Sequence, residues 1–139
     1  MMTTGSKNIE NYIPQRPPFV MVDRVTEATE AQFKTEFDIR PENIFLEDGC
    51  LREYALIENI AQSSSAGLVL TQQWAGKESA DGYIGAISKL NLHALPSVTQ
   101  IIHTTIFLLA RFENMFLIRG ECRSAGRLLL ECEMKLAGI

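Results

Sequence analysis

The sequence is poor in the residues that bind metals or build disulfide frameworks. It has three cysteines and two histidines, and it contains no Cys-x-x-Cys motif. Cys50, Cys122 and Cys132 do not lie beside a histidine, so the spacing of metal ligands is missing. We therefore expect no metal and no cofactor, and we interpret the thiols as buried or half-buried. A reactive Cys50 in the loop before the central helix is the alternative.

Other absences exclude further classes of protein. No basic run occurs and the net charge is −4, which argues against nucleic acid as a partner. The opening letters MMTTGSK contain no apolar stretch, and the odd cysteine count is typical of a reducing compartment, so we expect no secretory signal and a cytoplasmic location. The main apolar segment is interrupted by Glu58, Asn59 and Gln62 and falls short of the ~18 residues that predict a membrane span. Because repeats and linkers are absent, we expect residues 1–139 to form one domain.

The clearest pattern in the chain is a single long helix, Tyr54–Trp74. Apolar and small residues surround almost its whole circumference, which is typical of a buried helix. Glu58 and Gln62 are four residues apart and therefore share one face of this helix. A carboxylate in such a place must be paired, protonated or functional, because burying an isolated charge is costly. Glu58 is therefore the first candidate for a functional residue.

The remaining segments predict strands that wrap this helix. Residues Gln32–Ile39 alternate between apolar and polar side chains, as in a strand with one solvated face. The other predicted elements are a short helix or turn at Ile9–Ile13, a strand at Phe19–Val25, an irregular loop at Pro41–Arg52, a polar connection at Gly76–Asp81, and strands at Tyr83–Leu92, Gln100–Arg111, Met115–Arg123 and Arg127–Ala137. This order predicts an α+β fold in which about six mostly antiparallel strands wrap one helix. Because one sheet cannot cover the whole apolar helix, we expect a two-fold homodimer with Tyr83–Leu92 near the seam.

Two blocks of sequence resemble one enzyme family. Residues 13–25 read IPQRPPFVMVDRV and resemble the Leu-Pro-His-Arg-x-Pro-Phe-Leu-Leu-Val-Asp-Arg-Val opening of the β-hydroxyacyl-ACP dehydratases. Residues 58–62 read ENIAQ and resemble the Glu-Ala-Met-Ala-Gln of their central helix. The blocks occur in the family's order and at nearly its separation. The resemblance implies the hotdog fold, in which a sheet wraps a central helix.

The chain departs from this family at the catalytic histidine. The family carries it in a Gly-His-Phe-Pro-Gly loop before the helix, whereas the matching stretch here, IFLEDGCLR at residues 44–52, is shorter and has no histidine. Gln15 stands where the opening block of the family has its histidine. In these respects the chain is similar to the divergent dehydratase-like hotdog proteins of aryl-polyene and related pigment pathways.

The resemblance implies chemistry on 3-hydroxyacyl thioesters carried by ACP or CoA. Glu58 falls on the position of the catalytic carboxylate, and a structural carboxylate held by Gln62 or by a partner chain is the alternative. Gln62 is predicted to bind and position the substrate by a hydrogen bond, and a structural role in satisfying the carboxylate or the loop is the alternative. Residues Gly49–Leu51 are predicted to present backbone N–H groups to the thioester carbonyl at the start of the helix, with Gly49 and Cys50 as the substrate-binding candidates. Dehydration needs both a base and an acid, and the second group is missing.

The other titratable side chains have plainer interpretations. Glu47 and Asp48 are interpreted as solvated loop charges, with replacement of the lost histidine across a dimer as the alternative. His93 and His103 are interpreted as residues on the faces of strands.

Three functions stay open at this stage. The first is a divergent 3-hydroxyacyl-ACP dehydratase of fatty-acid or polyene-type biosynthesis, active alone or with another chain. The second is a catalytically silent subunit that binds acyl chains or completes a histidine-bearing homologue. The third is an acyl thioesterase, because hotdog thioesterases hydrolyse thioesters with a helix carboxylate and no histidine.

Overall fold

The fold is a six-stranded antiparallel sheet packed against one helix. The computed structural model describes residues 8–74 and 82–138. A 3₁₀ helix at Ile9–Asn11 precedes β1 (Arg24–Ala28), β2 (Gln32–Asp38), β3 (Leu46–Glu47), β4 (Cys50–Leu51), α1 (Glu53–Leu70), β5 (Gly82–Leu92), β6 (Ile101–Phe112), β7 (Met115–Ser124) and β8 (Arg127–Gly138). The sheet has the order β1-β2-β6-β7-β8-β5, so β1 and β5 form its edges. The predicted α+β architecture is confirmed.

Most predicted elements lie within two residues of their observed bounds. The alternating pattern of β2 buries Phe33, Thr35 and Phe37 and leaves the residues between them half-exposed. The loop predicted as irregular at Pro41–Arg52 contains the β3–β4 hairpin. Asp48 and Gly49 form its turn with φ angles of 54° and 78°, the conformation that an Asp-Gly pair favours between two strands. The predicted connection Gly76–Asp81 lies outside the described residues.

The strand predicted at Phe19–Val25 is wrong, because β1 begins only at Arg24. The N–H of Asp23 still bonds to the carbonyl of Glu36 on β2, but the backbone of Met21 is bound by helix side chains instead of by a strand. The N–H of Met21 donates to Gln62 Oε1 at 2.7 Å, and Asn59 Nδ2 donates to the Met21 carbonyl at 2.7 Å. These two side chains therefore satisfy the polar groups that a strand ladder would otherwise satisfy.

The helix ends four residues before its predicted end. After Leu70, Gln72 adopts a left-handed conformation with φ 61°. The N–H groups of Gln73 and Trp74 then both donate to the carbonyl of Leu68, at 2.8 and 3.2 Å. Reversal of the chain by one left-handed residue is a common way to end a helix, and here it folds Trp74 back into the core.

Two glycines allow the helix and the sheet to approach closely. A Cβ atom at Gly67 of α1 would overlap the ring of Phe33, and one at Gly120 of β7 would overlap Ile60. Phe33 and Ile60 are fully buried, and burial of such side chains stabilises a fold by about 1.5–3 kcal/mol each. Glycine at these two positions therefore allows the helix to pack closely on β2 and β7.

One strip of the helix is not covered by the sheet. Tyr54 is 48% exposed, and Ile57, Glu58, Ala61 and Ser65 are partly exposed along the same side of α1. The edge strand β5 also carries apolar side chains toward solvent: Ile87, Leu90 and Leu92 are 40–44% exposed. The expectation that one sheet leaves part of the helix uncovered is confirmed, and the homodimer stays a prediction. Within the described ranges, no helix is long and apolar enough to span a membrane.

Candidate functional site

A pocket of about 270 Å³ lies over the uncovered strip of the helix. Glu58, Ala61 and Ser65 form its floor, because these residues lie three, four and seven positions apart on one face of α1. The rest of its wall comes from the opening segment, from the turn after the helix and from two paired strands: Pro14, Gln15, Trp74, Ile84 and Leu136. The pocket is therefore largely apolar, and Glu58 supplies its charge.

Gln62 fixes the carboxylate of Glu58. The Nε2 atom of Gln62 donates to Glu58 Oε1 at 2.9 Å and to the carbonyl of Phe19 at 3.0 Å, while its Oε1 accepts from the N–H of Met21. Gln62 is fully buried, and both ends of its amide are bonded. These bonds are those of the structural alternative, because Gln62 satisfies the Glu58 carboxylate and ties the opening segment to the helix. Contact between Gln62 and a substrate stays a prediction.

A second helix amide extends this polar cluster into the core. Asn59 Oδ1 accepts a hydrogen bond from Thr104 Oγ1, and its Nδ2 donates to the carbonyl of Met21. One turn further along, Thr35 and Ser63 share a hydrogen bond of 2.7 Å between their hydroxyl oxygens. These pairs join the helix to β2 and β6 on the side away from the pocket. Buried polar groups that are fully bonded rigidify a core.

The structure does not bring Gly49 and Cys50 to this pocket. Neither is among the residues that line it. Cys50 forms an isolated bridge with Ser97, the N–H of Val98 donates to the carbonyl of Gly49, and that of Leu51 donates to the carbonyl of Pro96. The hairpin is thus tied to residues 96–98. The assignment of Gly49 and Cys50 to the thioester carbonyl stays a prediction that depends on a partner chain.

The remaining titratable candidates lie on the surface. Glu47 is exposed and pairs with Arg52 at 3.2 Å, and Asp48 is exposed in the hairpin turn. His93 contacts Glu131 at 3.1 Å, and His103 contacts Glu36 at 3.5 Å. Neither histidine lines the pocket beside Glu58. Among the described residues that line the pocket, Glu58 is therefore the one titratable side chain.

The two deeply buried thiols, Cys122 and Cys132, are expected to be unreactive. Burial raises the pKa of Cys122 to about 12 and that of Cys132 to about 11. Cys50 is half-buried. Across residues 8–74 and 82–138, no group of three or more His, Cys, Asp or Glu side chains is placed to hold a metal ion.

A larger hollow of about 500 Å³ lies elsewhere on the opening segment, between Pro17, Asp23 and Arg40. Two of its charged lining residues already pair, because Arg40 lies 3.1 Å from Asp23. The pocket at Glu58 is the better candidate, because its carboxylate faces an apolar space.

Sequence reasoning missed most of the wall of the pocket. Ala61 and Ser65 were detectable from their spacing to Glu58 on one helix face. Ile84 and Leu136 come together only through the register of β5 with β8, which no local pattern shows. Trp74 was assigned to the helix, whereas the turn at Gln72 carries it to the pocket.

Comparison with known families decides the affiliation. Residues 7–135 match the family described as ApeP-like, ApeP dehydratase. The chain belongs to the ApeP-like dehydratase family. This affiliation agrees with the resemblance carried by the opening block and by the helix, and the chain is a divergent dehydratase-like hotdog protein. A comparison with curated protein sequences gave no match.

Solved structures confirm the hotdog fold of this family member. A chain of the dehydratase heterocomplex ApeI:P from Xenorhabdus doucetiae superposes with a TM-score of 0.87 at 16% identity, over 96% of this chain and 91% of that one. A hypothetical thioesterase with coenzyme A from Streptococcus pneumoniae TIGR4 has a TM-score of 0.66 at 9% identity, over 82% and 86% of the two chains. A Streptococcus mutans UA159 protein bound to acetyl CoA has a TM-score of 0.66 at 7% identity, over 83% and 86%. At these identities the likeness shows the fold alone.

Proposed function

We propose that this chain is the carboxylate-bearing subunit of a 3-hydroxyacyl thioester dehydratase, completed by a histidine-bearing partner. The observation that carries the proposal is the state of the pocket: Glu58 is fixed by Gln62 at 2.9 Å, faces an apolar space, and has no histidine beside it. Eliminating water from a 3-hydroxyacyl thioester takes a proton from C2 and delivers one to the leaving hydroxyl at C3. Glu58 performs one of these transfers, and the partner's imidazole performs the other.

The geometry of the uncovered surface supports completion by a second chain. At about 270 Å³ the pocket is smaller than the ~300–1,000 Å³ of typical ligand sites. Its wall includes Ile84 on the edge strand β5, whose apolar side chains face solvent. A strand added to this edge would cover the open strip of α1 and enlarge the pocket. A partner docked there brings its own residues to Glu58.

One of the solved structures that this chain resembles is described as a dehydratase heterocomplex, ApeI:P. This supports a heteromer with a homologous dehydratase over the homodimer predicted from sequence.

We place the substrate on an acyl carrier protein in cytoplasmic polyene-type or fatty-acid biosynthesis, in line with the family affiliation. The apolar wall of the pocket suits an acyl chain.

The experiment mixes this chain with a histidine-bearing dehydratase homologue from the same organism and supplies 3-hydroxyacyl-ACP. Mass spectrometry of the acyl-ACP follows the loss of water. We expect dehydration by the mixture that exceeds the rate of either chain alone, and a heteromer by light scattering. Association without faster dehydration identifies a silent subunit, and hydrolysis without alkene formation identifies a thioesterase.

A surface variant separates assembly from chemistry. Ile87→Lys places a charge on the exposed side of β5 and is expected to weaken association. Ile101→Lys is the matched control, because Ile101 is 41% exposed on β6, which lies inside the sheet and not at its edge. Equal effects of the two variants on association contradict the assignment of β5 to the seam.

A further inference from the structure

Two glutamines lie beside Glu58 in opposite bonding states. Gln62 uses both ends of its amide, as described above. Gln15 lines the pocket with Glu58, and its Oε1 is shielded from water without a hydrogen-bond donor among the described residues. Gln15 Oε1 is the one buried side-chain nitrogen or oxygen in the described part of the chain that lacks a partner. A buried acceptor without a donor costs free energy, so an unpaired one in a native structure needs an explanation.

The backbone around Gln15 is held firmly. Arg16 Nη1 donates to the carbonyl of Gln15 at 2.7 Å and to that of Ile13 at 2.8 Å. Arg16 also pairs with Glu10 of the 3₁₀ helix at 3.5 Å. Pro14 restricts the backbone on the other side of Gln15. The backbone of Gln15 is thus held beside the pocket, while no hydrogen bond from a described residue holds its side-chain amide in one orientation.

Two acceptors at the pocket, the Glu58 carboxylate and Gln15 Oε1, call for hydrogen-bond donors on the ligand, whereas the Ser65 hydroxyl can donate or accept. An ionised Glu58 carboxylate only accepts hydrogen bonds, and Gln15 Oε1 is an unused acceptor. The wall around them is mainly apolar. A matching ligand therefore combines an apolar chain with an O–H or N–H group.

We propose that Gln15 is a substrate-binding residue that accepts a hydrogen bond from an O–H or N–H donor of the bound acyl thioester. This inference rests on the proposed function. Two donors of a 3-hydroxyacyl thioester fit: the 3-hydroxyl group and an amide N–H of the pantetheine arm. A bond to the 3-hydroxyl favours the hydroxylated substrate over the alkene product, which has lost that group.

The test compares Gln15→Met with wild type, because methionine has a similar length and no hydrogen-bonding amide. Gln32→Met is the matched control, since Gln32 lies on the half-solvated face of β2 and outside the pocket. Calorimetry measures the affinity of the full chain, alone and with the histidine-bearing homologue, for 3-hydroxyacyl-pantetheine and for the saturated acyl-pantetheine of equal length. Melting curves and the association constant with the homologue are recorded for each variant.

We expect Gln15→Met to bind the 3-hydroxyacyl ligand about 3- to 10-fold more weakly, the loss typical of one hydrogen bond. Its melting temperature should be equal to or higher than that of wild type, because the unpaired acceptor is gone. A loss confined to the hydroxylated ligand assigns the bond to the 3-hydroxyl, and an equal loss for both ligands assigns it to the pantetheine amide. In the assembled enzyme, KM should rise more than kcat falls.

Three outcomes overturn the inference. Wild-type affinity in Gln15→Met shows that the amide does not contact the ligand. A lower melting temperature, or weaker association with the homologue at unchanged affinity, shows that Gln15 bonds within the fold or to the partner. If wild type binds neither ligand in either state, the proposed function fails and this inference fails with it, a result distinct from binding that ignores Gln15.

Discussion

Replacing Glu58 by glutamine changes the charge of the pocket while keeping its shape. The carboxylate accepts one hydrogen bond from Gln62 at 2.9 Å and is otherwise directed to the pocket. Glutamine can accept the same bond through its amide oxygen. Hydrogen bonds to charged groups stabilise a fold by about 1.5–3 kcal/mol and neutral ones by about 0.5–1.5 kcal/mol. The free energy of unfolding should therefore fall by only about 1 kcal/mol in Glu58→Gln. Because Glu58 is paired and half-exposed, the stabilisation expected on removing an isolated buried carboxylate does not apply.

The effect on turnover should be much larger than the effect on stability. Loss of one acid/base group typically costs about 10²–10⁴-fold in rate, or roughly 2.7–5.4 kcal/mol of barrier. The assay is dehydration of 3-hydroxyacyl-ACP by this chain mixed with the histidine-bearing homologue, with wild type and Glu58→Gln in parallel. Glu53→Gln is the matched control, since it makes the same change on the same helix at a residue that pairs with Arg52 and does not line the pocket.

An unchanged rate in the Glu58→Gln mixture would refute the catalytic assignment. A fall in melting temperature of many degrees together with an unchanged rate would identify Glu58 as structural. A rate loss shared equally by Glu53→Gln would point to the charge of the helix start in place of a proton transfer at Glu58.

Three further predictions follow from the bonding and burial of particular side chains. Gln62→Leu leaves the N–H of Met21 and the carbonyl of Phe19 without their partner. The free energy of unfolding should fall by about 2–6 kcal/mol in a denaturant titration. A fall below about 1 kcal/mol would contradict the role of Gln62 in tying the opening segment to the helix. A thiol reagent applied to the native chain should label Cys50 before Cys122 and Cys132, whose burial raises the pKa to about 12 and about 11, and mass spectrometry of the labelled peptides checks the order. The hydrogen bonds from Arg123 and then from Arg119 lower the pKa of Glu121 in the folded protein. The stabilisation that Glu121 contributes is therefore complete at pH values above its unfolded pKa of about 4.3. It is lost as the pH falls through the folded pKa. Glu121→Gln should flatten that acid dependence, and an identical pH profile in the variant would be the contrary result.

The sequence contained enough information for the fold because its periodicities are local and strong. The alternation of β2 and the apolar circumference of α1 each follow from side chains within one element. The error at Phe19–Val25 has a different origin. Those residues look like a strand, but their backbone groups bond to Gln62 and Asn59, about forty positions later in the chain. Local propensity does not show that distant side chains take the backbone hydrogen bonds that a strand would use.

The candidate site was predictable only in part for the same reason. Glu58 and Gln62 were visible as neighbours on one helix face, and the structure joins them by a hydrogen bond. The opposite wall comes from Gln15 and Leu136, which lie at the two ends of the sequence. Gly49 and Cys50 precede the helix directly, yet the β3–β4 hairpin turns them toward residues 96–98. Nearness in sequence was therefore a poor guide to membership of the pocket.

The structure of this hairpin bears on why the chain would need a partner. The stretch that lacks the histidine is an ordered hairpin. Asp48 and Gly49 form its tight turn, and Glu47 pairs with Arg52. The N–H of Leu51 donates to the carbonyl of Pro96. These bonds direct the hairpin to a neighbour other than the pocket floor. If Glu58 acts in dehydration as we propose, the second proton-transfer group must come from outside the described part of the chain. The open strip of α1 beside the exposed edge of β5 is where a second chain can reach the carboxylate. At this pocket the described residues place one carboxylate, the Gln62 amide that binds it and one unused acceptor, with no second titratable side chain among them. That arrangement is the one we expect of half of a shared site.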